Sequence, residues 1–263
     1  MRRRTKARFA PALALVGVCL LPPVGALAIQ DEIQVYTDDL DLKGESGVEI
    51  HINTTPSGRS TPGYPGDVPP YHGVRFTPEF SWGLGHGFDW GLYLPSTTDA
   101  DWNYYFGGAK LRVKWMPVRA EEGGTGWYFG INNELSNLNK AFSDSRWNDE
   151  VRVMVGYRGA RWLVGLNPIF EWGLSPGFRG SPDLTLALKA VHDVLPGVAL
   201  GVEYYQDMGP LSNPLPHDEQ NRTLYAVMEV ERKAWSLNFG VGRGLTPATD
   251  DWTVKAIVGV AFN

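Results

Sequence analysis

The feature that most constrains this chain is a two-residue alternation, and it is plainest in the last stretch, Trp252-Thr-Val-Lys-Ala-Ile-Val-Gly-Val-Ala-Phe262. In an extended strand successive side chains point to opposite faces. Trp252, Val254, Ala256, Val258, Val260 and Phe262 therefore share one wholly apolar face, while Thr253, Lys255, Ile257, Gly259 and Ala261 share the other. A strand about ten residues long, with an aromatic at each end of its apolar face, fits the outer wall of a membrane barrel, where lipid bathes one side of every strand. Outer-membrane barrels often finish on an aromatic read by the insertion machinery; here Phe262 is followed by Asn263. Taken alone, the segment serves equally well as the closing strand of a soluble barrel or sandwich.

The same alternation recurs upstream. From Gly47 onward it predicts about twelve strands, at 47–55, 73–82, 86–94, 104–116, 126–134, 149–157, 161–172, 182–192, 198–207, 221–231, 234–243 and 251–262. In the first, Val48, Ile50 and Ile52 oppose Glu49, His51 and Asn53; in the second, Val74, Phe76, Phe80 and Trp82 oppose Arg75, Thr77, Glu79 and Ser81. Pro78 is awkward in that second strand, because proline removes a ladder hydrogen bond. The connections alternate too. Those after odd strands are mostly long and polar, those after even strands mostly short, with 117–125 intermediate. Long extracellular loops and short periplasmic turns are the habit of outer-membrane barrels, and two periplasmic termini require an even strand number. The expected fold is thus all-β, an antiparallel transmembrane β-barrel of about twelve strands. The first loop, Pro56 to Pro70, is dense in proline and glycine. It reads as a surface loop, with folding over the barrel mouth as the alternative.

Export follows from the N-terminus. Arg2, Arg3, Arg4, Lys6 and Arg8 precede an apolar run through Leu21, and Ala26-Leu27-Ala28 is a small-x-small cleavage site, so residues 1–28 read as a signal peptide. Residues 29–46 read as a polar periplasmic lead, and 47–263 as the barrel. Cys19, the one cysteine, falls in the signal, which leaves the mature chain without a thiol nucleophile or a disulfide framework. Removing the five basic leader residues takes the formal net charge from −5 to −10, which argues against nucleic acid as a partner. All ten tryptophans lie after the signal. Trp82, Trp90, Trp115, Trp162, Trp172, Trp235 and Trp252, together with Phe262, share faces with aliphatic residues and are expected to point outward near the two membrane interfaces.

At Ala199-Leu-Gly-Val-Glu-Tyr-Tyr-Gln-Asp-Met-Gly-Pro-Leu211, and again at Leu237-Asn-Phe-Gly-Val-Gly-Arg-Gly-Leu-Thr246, the chain resembles poorly characterised proteobacterial outer-membrane barrels. These include putative transporters of the meta-pathway of phenol degradation type. The resemblance implies an architecture and a place in the outer membrane, and it supplies no catalytic residue to transfer.

The inward faces carry the chemistry. Lys110, Arg112 and Lys114 are spaced by two, between Leu111, Val113 and Trp115. A cation at the bilayer midplane costs about 2–4 kcal/mol, so the three are expected to point into the lumen. Lys114 should lie nearest Asp89, which leaves Arg112 and Lys110 over the small Gly91 and Gly130 with fewer acidic neighbours. They then form either a ladder guiding anionic solutes or one side of a salt-bridge network reaching Glu171, Glu203 or Glu229. Glu49 and His51, with Glu79 on the next strand, make the nearest thing to an acid/base cluster, and a hydrogen-bonded structural histidine is the commoner outcome. No metal spacing, phosphate loop or nucleophile elbow is present, so no catalytic residue, metal or cofactor is expected. The reading is a narrow channel or transporter for a small solute, anionic or aromatic, in contact with outer-membrane lipid and lipopolysaccharide. Two alternatives stay open: a lipid or lipid A hydrolase, and a structural or adhesive barrel.

Overall fold

Period-two alternation pays off as one closed sheet. The computed structural model describes residues 32–120, 124–177 and 180–262. The expected signal peptide and cleavage site, with Cys19, lie outside the described residues. The strands are β1 (Ser46–Ser57), β2 (Val74–Gly85), β3 (Phe88–Tyr93), β4 (Ser96–Thr98), β5 (Tyr104–Phe106), β6 (Gly108–Val118) and β7 (Gly126–Leu138). They continue with β8 (Trp147–Arg158), β9 (Trp162–Gly173), β10 (Asp183–Leu195), β11 (Val198–Pro210), β12 (Asn221–Glu231), β13 (Ser236–Gly244) and β14 (Trp252–Phe262). Every named pairing is antiparallel, and β1 pairs with both β2 and β14, which closes the barrel. Twelve strands make the wall, because β4 extends β3 and β5 leads into β6. Closure leaves no sheet edge, the condition for a β structure surrounded by hydrocarbon.

One expected strand, 104–116, is therefore interrupted, and the expected loop 95–103 holds a short strand of its own. Leu94-Pro95 separates β3 from β4, and Gly107 separates β5 from β6, with the Gly107 N–H donating to the Pro95 carbonyl at 2.7 Å. The break also accommodates Pro78. Leu94 N–H donates to the Pro78 carbonyl at 3.0 Å, so the proline's missing N–H faces the same side, where β2 passes from β3 to β4. The second strand runs through its proline unbroken, paired with β1 from Val74 to Trp82.

Both chain ends of the barrel lie at one end, here called the terminal end, where the connections 86–87, 159–161, 196–197 and 232–235 are short and 119–125 is longer. At the opposite, loop end, 58–73 is the longest connection. Its Val68 is buried with Ala141 and Phe142 of the 139–146 loop, and Asp67 accepts from Gly63 N–H at 2.7 Å. The first loop is thus packed against the 139–146 loop.

The two faces of each strand differ as the alternation requires. On β6, Leu111, Val113 and Trp115 are 51%, 49% and 39% exposed, whereas Lys110 and Arg112 are 8% and 3%. Trp82, Trp162, Trp252 and Phe262 are exposed on the outside, Trp90 and Trp172 are half-buried there, and Trp235 is exposed in the 232–235 turn rather than on a strand face. Trp82 stacks on Trp90 with ring centroids 4.5 Å apart, and Phe88 on Trp115 at 5.8 Å, both near the terminal end. Trp172 and Trp252 sit at the loop ends of β9 and β14.

Candidate functional site

The lumen is occupied by the chain's own lead. Glu32, Ile33, Val35, Tyr36, Thr37 and Asp38 are all buried, and Ile33, Val35 and Tyr36 pack with inward residues such as Met116, Tyr128, Met154 and Tyr205 in one apolar cluster. Residues 32–38, expected in a polar periplasmic lead, are inside the barrel. The physical reason is in their own pattern: Ile33 and Val35 alternate with polar neighbours, and the inward face of the wall offers both apolar surface and donors. Residues 29–31 of that lead lie outside the described residues.

A segment inside a barrel has no strand to pair with, and its backbone groups need partners all the same. Wall side chains supply them. Asn167 accepts from the Tyr36 N–H at 2.7 Å and donates to the Tyr36 carbonyl at 3.0 Å. Arg152 donates to the Gln34 carbonyl at 3.1 Å, and Lys255 to the Ile33 carbonyl at 2.9 Å. The Tyr36 hydroxyl lies 2.6 Å from that of Tyr93 and donates to Glu134 at 3.3 Å, while the Arg152 guanidinium sits 4.2 Å from the centre of the Tyr36 ring. Nearer the terminal end, Arg158 Nε donates to Asp38 at 2.7 Å.

The wall's charges pair among themselves. Lys110 meets Glu134 at 3.1 Å and Glu32 at 3.9 Å; Arg112 meets Asp89 at 2.8 Å and Glu79 at 2.9 Å; Lys114 meets Asp89 at 3.1 Å. The three cations point inward as expected, and the contact of Lys114 with Asp89 is the expected one. The shortage of acidic neighbours for Arg112 and Lys110 is not found. A Cβ at Gly91 would stand 3.0 Å from Arg112 Nε, so this glycine leaves the room in which the guanidinium reaches both carboxylates. A second network, on β10, β11, β12 and β14, was not foreseen: Lys189 reaches Glu203 at 3.4 Å and also bonds Glu229, while Lys255, wholly buried, bonds Glu203. Tyr205 donates to the same Glu203 carboxylate at 2.6 Å. Its signal was available in the parity of Lys189, Glu203 and Lys255, each on an inward face; their meeting depends on register across five strands, β10 to β14.

Glu32 is held less closely than these. Neither carboxylate oxygen has a hydrogen-bond partner, and its cations, Lys110 and Arg152, stand off at 3.9 and 3.8 Å. Burial first, then the charge of Glu134, push its carboxyl up to about 7 against the pull of those cations.

Space remains on both sides of the lead. A cavity of about 560 Å³ toward the terminal end is lined by Gln34, Glu49, Glu79, Lys114, Lys189 and Glu231. A smaller one of about 110 Å³ toward the loop end is lined by Gln34, Glu134, Glu150, Glu171, Asp183 and Asp207. Behind Glu49 and Glu79, which line the larger one, the buried His51 Nε2 lies 3.3 Å from Glu79 and 3.9 Å from Glu49, so the residues singled out from the sequence are brought together.

No family model matches the chain, and no curated protein matches it. Among solved structures it is similar to an outer-membrane channel from Pseudomonas putida F1, at 13% identity and TM-score 0.59, covering 88% of this chain and 100% of that one. It is similar also to the NanC porin, at 11% identity and TM-score 0.53, over 82% of this chain and 99% of the porin. The KdgM porin in complex with disordered oligogalacturonate matches at 12% identity and TM-score 0.50, over 82% and 98%. The shared property is the fold, a closed antiparallel twelve-stranded barrel of the outer-membrane kind.

Proposed function

We propose that the chain is an outer-membrane channel for a small solute, narrowed in this state by its own residues 32–38. The observation that carries this reading is the pair of polar cavities toward opposite ends of one lumen, both lined by Gln34 of the lead. A lumen lined by ionisable groups inside an apolar outer wall suits passage through a membrane. The segment between the cavities is not part of the wall, so it can leave without opening the sheet. The outer belt, with tryptophans toward both rims, fits contact with outer-membrane lipid and lipopolysaccharide after insertion by the barrel-insertion machinery. Anionic solutes are one class, since the similar KdgM barrel was captured with an oligogalacturonate. Aromatic solutes are the other, from the resemblance to putative phenol-degradation transporters. A hydrolase would need a nucleophile bonded to His51, whereas that ring's Nε2 faces two carboxylates.

The test is planar-bilayer recording of protein purified from outer membranes, beside a variant lacking residues 32–38. The intact chain should conduct weakly and the deletion variant severalfold more. A deletion variant that assembles, shown by heat-modifiable migration, yet conducts no better would refute the reading.

A further inference from the structure

The cluster of Glu49, His51 and Glu79 does work that neither the channel reading nor the ion-pair networks account for. Glu49 and His51 are two apart on β1 and share its inward face, and Glu79 of β2 stands directly across from Glu49. Two carboxylates directly opposed across a strand pair repel unless a cation lies between them. Arg112 answers part of this, but it holds Glu79 Oε1, whereas Glu79 Oε2 and Glu49 Oε2 both turn toward His51 Nε2. One imidazole N–H can serve one of them. The three donor atoms lie within 4.8 Å of one another. Donors about 2.1 Å from a tetrahedral metal ion stand about 3.4 Å apart, close to the 3.3 and 3.9 Å found here.

A fourth donor is at hand. Gln34, on the lead, donates from Nε2 to Glu49 Oε2 at 3.3 Å, while its Oε1 is buried with no partner. Half a turn about its last bond brings that oxygen to where the nitrogen stands. Glu49, Glu79 and Gln34 all line the larger cavity, which gives an ion a path from the terminal end.

We infer that Glu49, His51 and Glu79 form a binding site for a divalent transition-metal ion, with the Gln34 carboxamide as fourth ligand, so that the ion ties the lead to the wall. One imidazole nitrogen and three oxygens, two of them from carboxylates, suit Zn²⁺, Co²⁺ or Ni²⁺ better than a hard cation that takes only oxygen. This goes beyond the channel reading, since the site could hold an ion whether or not the barrel conducts. The sequence shows no metal spacing because the donors come from two strands and a separate segment.

The test is titration of the whole mature barrel in detergent with Co²⁺, read by visible absorption, followed by displacement with Zn²⁺. One Co²⁺ per barrel with a saturable d–d band is expected. His51→Ala and Glu79→Gln should each weaken binding at least tenfold, and Gln34→Ala severalfold. Should either buried variant fail to assemble, Glu49→Gln, at a half-exposed position, carries the same tenfold expectation. Absence of saturable binding to the intact barrel, or equal affinity in assembled His51→Ala or Glu49→Gln, would overturn the site. Unchanged affinity in Gln34→Ala would overturn the tie to the lead. Conductance enters none of these readings, so failure here is distinct from failure of the channel reading.

Discussion

The outer wall and the lumen are made by the same strands, one face each, and they are stabilised in opposite ways. On β6 the outward Leu111, Val113 and Trp115 touch little protein, whereas the inward Lys110, Arg112 and Lys114 are held by Glu134, Glu79 and Asp89. The wall needs only apolar character at each outward position. The lumen needs particular partners, because a buried charge that loses its partner keeps its desolvation cost. Substitution should therefore be tolerated outside wherever it stays apolar, and be costly inside even where it is conservative in size.

The largest effect is expected at the centre of the lumen. Lys255→Met takes from the buried Glu203 one of its two cations and from the Ile33 carbonyl its donor. Removal of one partner from a buried pair costs about 3–5 kcal/mol, and the fast-migrating unboiled form should be lost at a clearly lower temperature. Next comes the wall. Val113→Arg puts a charge on the middle of the outer face of β6 and should cost about 2–4 kcal/mol if lipid covers it, read by urea titration in bilayers. No penalty there would mean that Val113 faces water. A smaller loss, about 0.5–1.5 kcal/mol beyond the area term, is expected when Trp82→Ala unstacks Trp90 at the terminal rim.

The smallest effect concerns pH. With its carboxyl raised to about 7 in the folded chain, Glu32 binds a proton more tightly when docked than when free. Docking of the lead should therefore strengthen as pH falls from above 7 toward the ordinary carboxylate range, and weaken as pH rises again. Conductance of the intact chain should be lower at pH 5 than at pH 8, and Glu32→Gln should flatten that difference.

The contrast between wall and lumen also explains what the sequence disclosed. Outward positions such as Trp252, Val254 and Val258 are legible because the period of two is local, and the same parity turned Lys110, Arg112, Lys114 and His51 inward. Partners were not legible. Lys255 finds Glu203 and Lys189 only through the registers of β10, β11, β12, β13 and β14. The breaks at Pro95 and Gly107 arise from a local distortion that alternation does not encode. Burial of residues 32–38 depends on space inside a barrel that must close first, and a short stretch running into Asp38, Asp39 and Asp41 read as solvated.

The central claim, that the lead fills the lumen, is tested most directly by cysteine accessibility. With the one natural cysteine replaced, Cys19→Ser, a single introduced thiol reports alone. In assembled barrels, Val35→Cys, at a position 2% exposed, should resist a bulky maleimide until the sample is boiled, whereas Leu42→Cys, at a position 44% exposed, should react at once. Equal and rapid labelling at both positions would contradict the account.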